Sequence, residues 1–430
     1  MLLAGPWTED GRAARLLAWF GPRAPRLRKA LLAEVSLAFA TGPPPSPPAL
    51  ADWLRDDATA LRLHRLLLRR GPVPPAPLEP PVMAPSPPFA KLALPPIATP
   101  GALAAWLGVG TDELDWFADV NDRLQRPAKI GRRHYRSRWV AKRSGGARLI
   151  EAPLPRLKAL QRQVLDGILN EVPAHAAAFG FVPGRSCLAG AAHHAGEEMV
   201  VTADLAGFFE SVPASRVHAI WRELGYPWAV ARILTGLCTL RTPPDVLAER
   251  SDLPWTRRRM LAAAHLPQGA PTSPALANLA AYRLDQRLSA LLHRAGGRYS
   301  RYADDLAFSG DRAVFAGARR FLAVLDEIVC DEGFCLNPAK TRIMPQGARQ
   351  TVTGLVVNSH ANTPRTEFDR LKAILTNCRR HGPAEQNRAG HPAFRQHLEG
   401  RVAWVEAVNP RRGARLRALF DAIAWPAPPV

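Results

Sequence analysis

The chain has 430 residues, 47% of them hydrophobic and 22% charged, enough apolar content for two or three packed domains and too much for a disordered chain. Its formal net charge of +20 calls for an anionic partner, nucleic acid first and an anionic membrane surface second. No stretch approaches the ~18 uninterrupted apolar residues of a membrane helix, no basic region precedes a sustained apolar run at the N-terminus, and the five cysteines at irregular spacing make no disulfide framework, so a soluble cytoplasmic protein is expected.

Residues 1–71 read as a basic helical extension. Leu61, Leu63, Leu66, Leu67 and Leu68 predict a thick apolar helix face, and the prolines from Pro43 to Pro48 split the region into two helical pieces. Residues 72–100 hold 12 prolines in 29 positions. Proline has no amide hydrogen, so that density excludes a packed core and predicts an extended, semi-rigid linker. No chemistry is legible in residues 1–100. Two short helices follow between Ala102 and Val120, broken at Gly108–Gly110. The run His134–Lys142, the pair Gly145-Gly146 and Arg148-Leu149-Ile150 predict a basic β-hairpin. Helices are expected over Leu157–Leu169 and, as one long element, Pro274–Leu292. Met199–Leu205 is a buried strand, Tyr299–Ser309 a hairpin and Thr351–Val357 a further strand. Thr366–Arg380 is an amphipathic helix with Leu371, Ile374, Leu375 and Cys378 inward and Arg370, Lys372, Arg379 and Arg380 outward. There is no internal repeat.

In so basic a chain, carboxylates clustered beside apolar strands need a reason. Val200-Val201-Thr202-Ala203-Asp204 is an apolar strand ending in an aspartate. Tyr302-Ala303-Asp304-Asp305 sets two aspartates at the tip of a hairpin. Adjacent like charges raise each other's pKa unless a cation neutralises them. Mg²⁺ is bound through one or two carboxylates plus substrate phosphates, and two such ions about 4 Å apart serve phosphoryl transfer. An isolated Asp-Asp is most often a solvated turn, but this pair has company. Cys187 with His193-His194 fits no common zinc spacing, and Cys330 and Cys335 read as core residues.

Tyr302-Ala303-Asp304-Asp305 resembles the active-site hairpin of reverse transcriptases, and Asp204-Leu205-Ala206-Gly207-Phe208-Phe209 resembles their first metal-binding motif. Leu266-Pro267-Gln268-Gly269, Leu336-Asn337-Pro338-Ala339-Lys340-Thr341, and Phe179-Gly180-Phe181 with Gly184-Arg185-Ser186 resemble further motifs of that family. All occur in the family's order, over roughly residues 101 to 425. Within it the resemblance is to bacterial retron enzymes. These carry a Val-Thr-Gly motif, here Val352-Thr353-Gly354, and an Asn-Ala-x-x-His motif, here Ala191 and His194 with Gly190 in place of Asn.

The resemblance implies an α+β right-hand polymerase: fingers over 101–195, a ferredoxin-like palm over 196–360 and a helical thumb over 361–430. It implies that Asp204, Asp304 and Asp305 hold two Mg²⁺ ions, with Leu205 contributing its backbone carbonyl. Phe209 is then a steric gate against a ribose 2′-OH, unless it is an ordinary core residue, and Phe208 is core. Gln268 lies against the incoming nucleotide, with Gly269 allowing close approach. Arg148 clamps the triphosphate, a task Lys142 and Arg143 can share, or these are solvated charges. Lys340 protonates the leaving pyrophosphate or is a solvated loop lysine. His194 contacts RNA or caps a turn. Ala191, Val352, Thr353, Gly354 and the thumb residues Arg370, Lys372 and Arg379 form the RNA-binding set.

The implied reaction is RNA-templated DNA synthesis from deoxynucleoside triphosphates. A cognate structured noncoding RNA would be template, primed from its own 2′-OH to give branched RNA–DNA. The implied setting is anti-phage defence with an accessory effector. Two alternatives stand beside it. One is another bacterial reverse transcriptase, group II intron-like or primer-independent; the little chain after Val352-Thr353-Gly354 argues against the intron type. The other is an idle RNA-binding scaffold, which the presence of all three aspartates disfavours.

Overall fold

The structure, a computed structural model, describes residues 2–3, 7–22, 24–39, 45–68, 81–120, 133–141, 145–315 and 317–425. Lys142 and Arg143 of the expected basic hairpin and residues 72–80 of the expected linker lie outside these. The chain forms two compact units: Met1–Pro173 with Phe209–Ala280, and Ala174–Phe208 with Ala281–Val430.

In the first unit the described residues of the extension form four helices, Glu9–Phe20, Pro25–Ala38, Pro47–Asp56 and Ala58–Leu68, and the break expected at Pro43–Pro48 falls between the second and the third, so that each expected piece is a helix pair. Thr8 and Ser46 cap the first and third by accepting from the amides of Gly11 and Ala49. Leu16, Phe20, Leu31, Val35, Leu50 and Leu63 form their common core. Of the leucines expected on a thick apolar face, Leu61, Leu66 and Leu68 are exposed and Leu63 is buried, with Ala60 three residues before it on the same side of the helix; the Leu67 side chain lies outside those described. The proline-rich segment is also more than a linker. The amides of Ala84 and Ser86 donate to the carbonyls of Gly225 (2.9 Å) and Glu223 (3.0 Å), and Ile97 is buried. Gly225 permits this strap, since a Cβ there would sit 2.2 Å from the Pro85 nitrogen.

Helices Pro100–Leu107 and Thr111–Ala118 appear as expected, on either side of the Gly108–Gly110 break. The hairpin is strand β1 (Tyr135–Ala141) against β2 (Ala147–Pro153), antiparallel from Tyr135↔Pro153 to Ala141↔Ala147. Helix Pro155–Gly167 buries Leu157, Leu160 and Val164 at i, i+3 and i+7.

The second unit is built on β3 (Met199–Asp204), β4 (Arg298–Tyr302), β5 (Asp305–Gly310) and β6 (Arg342–Pro345). These form an antiparallel sheet in the order β4-β5-β3-β6. Val200, Val201, Ala203, Leu306 and Phe308 are buried, so the central strands are apolar in runs rather than in alternation. Helices Tyr282–Arg294 and Ala318–Asp331 belong to this unit. The long helix expected over 274–292 is two, Ser273–Ala280 and Tyr282–Arg294, because Ala281 leaves helical geometry with ψ of 3°. No breaker residue signals this. Nor is Thr351–Val357 one strand. It is a small hairpin, β7 (Thr351–Val352) and β8 (Leu355–Val356), whose turn residues Thr353 and Gly354 have φ of 47° and 83°. Two consecutive positive φ values are what a two-residue hairpin turn demands. Helices Arg365–His381, Phe394–Val408 and Pro410–Asp421 share a core of Phe368, Leu371, Leu375, Leu398, Val402 and Leu416.

Candidate active site

The site is built where β3 and β5 run side by side. Their register pairs Asp204 directly with Asp305, so the strand-end carboxylate and the hairpin carboxylate meet across neighbouring strands. The hairpin turn is Ala303-Asp304, with Ala303 at φ 57°, and the Leu205 amide donates to the Asp304 carbonyl at 2.9 Å. The chain beyond Asp204 is held from its other side as well: the Asn337 amide donates to the Asp204 carbonyl (2.8 Å) and the Ala206 amide to that of Cys335 (2.8 Å). Backbone bonds thus tie the strand end at Asp204 to the hairpin turn at Asp304.

Asp204 is buried, and its carboxylate accepts from Lys340 Nζ at 2.6 Å and from Asn337 Nδ2 at 3.3 Å. Hydrogen bonding to Asp204, with the charges of Asp204, Asp304 and Asp305, raises the Lys340 pKa further, so this ammonium stays protonated. Asp305 is exposed as a residue. Even so, partial burial of its carboxyl, with Asp304 and Asp204 beside it, pushes its pKa up to about 6 against the pull of Lys340. The motif spacing does not reveal that Lys340 is the counter-ion of Asp204, or that Asn337 touches the same carboxylate.

The donor set suits a hard divalent cation: it is all carboxylate oxygen, and Asp305 is pushed up by neighbours that a cation would neutralise. Among the described residues no three acidic, histidine or cysteine side chains converge into a preformed cage. A cation must displace the proton of Asp305 wherever that group is protonated. Divalent-metal affinity is therefore expected to fall about tenfold per pH unit below about 6 and to be flat above. Calorimetric titration with Mg²⁺ across that range checks it; a pH-independent affinity would contradict the placement of Asp305.

A cavity of about 430 Å³ opens beside these groups, lined among others by Asp204, Asp305, Lys340, Arg342, Thr353 and Gly354. His194 stands behind it in the core. It is fully buried, with Nδ1 2.8 Å from Ser309 Oγ and Nε2 2.6 Å from Ser300 Oγ. Burial, then His193 and Arg298, pushes its pKa down to about 3, so it is neutral. The expected RNA contact or turn cap is corrected: His194 ties β4 to β5. Ala191 and Val352 are buried too and offer no side chain to RNA, whereas Gly354, Arg370, Lys372 and Arg379 are exposed and Thr353 is half-buried. Cys330 and Cys335 are exposed rather than core, and all five cysteines are free.

The segment Phe179-Gly180-Phe181 belongs with this hairpin. Ala178 forms a parallel bridge with Arg301, the Phe179 amide donates to the Arg301 carbonyl (2.7 Å), and Arg185 Nη1 donates to the carbonyls of His175 (2.7 Å) and Ala178 (2.7 Å). Phe208 is core, its ring 5.8 Å from that of Phe334.

Phe209, Arg148 and Gln268 lie in the first unit. Phe209 is half-buried, and Arg148 is exposed on β2 opposite Val140. The Gln268 carbonyl accepts from the Glu151 amide at 2.9 Å. Gly269, at φ 141°, makes room for β2: a Cβ there would lie 2.9 Å from the Glu151 carbonyl oxygen. The close approach expected of it is therefore to its own chain. Beneath that loop Glu151 is buried, accepting from Thr242 Oγ1 (2.7 Å) and lying 3.0 Å from His265 Nε2. Burial alone would lower the His265 pKa, but the hydrogen bond and charge of Glu151 raise it. No motif drew attention to that pair, whose partners are 114 residues apart.

The profile of the reverse transcriptase (RNA-dependent DNA polymerase) family matches residues 140–358, about half the chain. The protein is thus an RNA-directed DNA polymerase with a right-hand polymerase fold of mixed helices and strands. The Retron Mx65 reverse transcriptase of Myxococcus xanthus is 40% identical over 330 residues, 76% of this chain and 72% of that protein. The Retron Mx162 reverse transcriptase of the same organism is 38% identical over 326 residues, 73% of this chain and 64% of that protein. The chain belongs to the retron reverse transcriptases. A solved telomerase from Candida albicans, in complex with a fragment of telomeric RNA, superposes over 72% of this chain and 61% of that chain at a TM-score of 0.37 and 10% identity, too loosely to bear on the assignment. No helix among the described residues is long and apolar enough to cross a membrane.

Proposed function

We propose that this protein copies part of a cognate structured noncoding RNA into DNA from deoxynucleoside triphosphates. Synthesis starts from a 2′-OH of that RNA and leaves a branched RNA–DNA product (msDNA). The observation that carries the reading is the 40% identity to a retron reverse transcriptase over 330 residues, a span that includes the aspartate trio. The setting is anti-phage defence in the cytoplasm, with an accessory effector protein. Fingers extend over 101–195, palm over 196–360 and thumb over 361–430, and the four-stranded sheet with its crossing helices is the ferredoxin-like palm.

Asp204, Asp304 and Asp305, with the Leu205 carbonyl, are the groups to hold two Mg²⁺ ions, which when bound supply charge neutralisation at the attacking and leaving oxygens. Lys340 keeps its proton through its bond to Asp204 and is the donor to the departing pyrophosphate. Arg148 holds the triphosphate bidentately, Gln268 lies along the nucleotide, and the Phe209 ring excludes a 2′-OH beneath the sugar. Thr353 and Gly354 at the β7–β8 turn and the basic face of Arg370, Lys372 and Arg379 meet RNA phosphates, which makes binding salt-sensitive.

The test uses the protein expressed with its native flanking DNA and purified with whatever nucleic acid it holds, then treated with RNase, DNase and a debranching enzyme. The expected result is a DNase-sensitive species joined to RNA through a debranchable linkage, and absent when Asp304 and Asp305 are changed to Asn. Bound RNA without attached DNA, on a protein that still extends an added primer, would keep the polymerase and overturn the self-primed mechanism.

A further inference from the structure

Beneath the Asp304-Asp305 tip lies a charged network with no contact to solvent. The side chains of Arg301 on β4 and Asp285 on helix Tyr282–Arg294 are both 0% exposed. They pair bidentately, Nε to Oδ1 at 2.8 Å and Nη2 to Oδ2 at 2.6 Å, and Tyr299 donates its hydroxyl to the same Oδ1 at 2.8 Å. The remaining arm of the guanidinium, Nη1, donates to the Ala303 carbonyl at 3.1 Å. Ala303 is the left-handed residue of the turn, at φ 57°, and its carbonyl carbon is bonded to the nitrogen of Asp304. The guanidinium also lies 5.4 Å from the Phe208 ring.

A buried ion pair is a poor way to gain stability, because the cost of removing two charges from water consumes most of their attraction, and apolar residues of similar volume serve as well or better. Apolar residues cannot, however, donate to a carbonyl in a strained turn. A left-handed non-glycine residue persists only where its surroundings over-determine it, and Arg301 is the group that does so here from below. We infer that Asp285 and Arg301 are positioning residues for catalysis. Asp285, braced by Tyr299, aims the guanidinium, and the guanidinium holds the Ala303 carbonyl so that Asp304 and Asp305 stand in their working orientation. The inference rests on the catalytic reading of those two aspartates.

The decisive variant is the triple Tyr299→Phe/Asp285→Leu/Arg301→Met, which replaces the whole network by apolar groups and leaves no orphaned charge or hydroxyl. It is expected to fold with a thermal midpoint near that of the parent. Its kcat for primer extension should fall about 10- to 100-fold, the cost of a misplaced reacting group, with KM for the deoxynucleotide unchanged. Amide exchange in residues 299–309 should accelerate while the rest of the chain keeps its protection. Arg301→Lys, which keeps the charge opposite Asp285 but cannot reach both it and the Ala303 carbonyl, is expected to show the same kcat-only loss in smaller measure, and it decides alone if the triple variant does not fold. Wild-type kcat and exchange in either folded variant would overturn the inference. The control is Asp304→Asn/Asp305→Asn. If that protein extends primers normally, the catalytic reading itself has failed. If it is inactive while the network variants are not, only the positioning role has failed.

Discussion

Asp304→Asn/Asp305→Asn is expected to lower DNA synthesis by at least about three orders of magnitude while leaving the protein folded. Asparagine keeps the shape of the tip and removes both charges. The fold does not need the Asp305 charge for stability. The Asp305 pKa is raised to about 6, which means the folded state disfavours its ionised form. A carboxyl with a raised folded-state pKa costs stability in full above that value, and the cost fades as pH falls from about 6 to the ordinary carboxylate range of the unfolded chain. Neutral residues at the tip should therefore leave the melting temperature at neutral pH unchanged or slightly higher. Primer extension on an RNA template and a thermal melt, measured together, check both halves. Full extension by the variant would remove the aspartates from the chemistry. A large drop in melting temperature would show that they serve the fold.

Gly180→Ala is expected to cost about 100-fold in turnover, from a residue that carries no chemistry. A Cβ at position 180 would lie 2.6 Å from the Ala303 nitrogen and 3.2 Å from the Tyr302 carbonyl carbon. The neighbour is backbone rather than the end of a flexible side chain, so the contact is relieved only by moving the segment or the hairpin. The segment is held by the Phe179–Arg301 and Arg301–Ala177 backbone bonds, 2.7 Å and 2.8 Å, and by Arg185 across its carbonyls. The aspartate tip is then the part displaced. Overpacking of this kind costs about 1–3 kcal/mol of stability as well. Steady-state kinetics should show the loss in kcat with KM for the nucleotide little changed. A variant with parental kcat would mean that the segment and the hairpin are not rigidly coupled.

The motifs made the site legible because they are local. Asp304 and Asp305 are neighbours in sequence, alternating strand-formers flank them, and the turn follows from the chain itself. The hairpin over 299–309 and the amphipathic helix over 366–380 appear where periodicity puts them. Where a residue's environment departs from what its neighbours in sequence suggest, a partner distant in the chain decides it. By local standards His194 contacts RNA or caps a turn, but Ser300 and Ser309, 106 and 115 residues away, make it a neutral core group. Gly269 and Gly180 are glycines for the sake of backbones far along the chain, those of Glu151 and Ala303. The proline-rich strap escaped because the amides of Ala84 and Ser86 find carbonyls at Gly225 and Glu223.

By itself the sequence determined the chemistry this protein can carry: three aspartates in two apolar settings, a lysine following in a motif, a strongly basic surface and the order of motifs that marks an RNA-directed polymerase. Those are properties of residue type and short spacing, and they hold in any conformation. Only the tertiary structure decided the electrostatic state of each group. Strand register puts residue 204 beside residue 305, the turn before β6 brings Lys340 onto Asp204, and helix packing against β4 sets Arg301 between Asp285 and the turn. Coulomb and desolvation energies depend on separation and burial in space, and strands paired across a hundred residues bring those distances about without leaving a local trace in the chain.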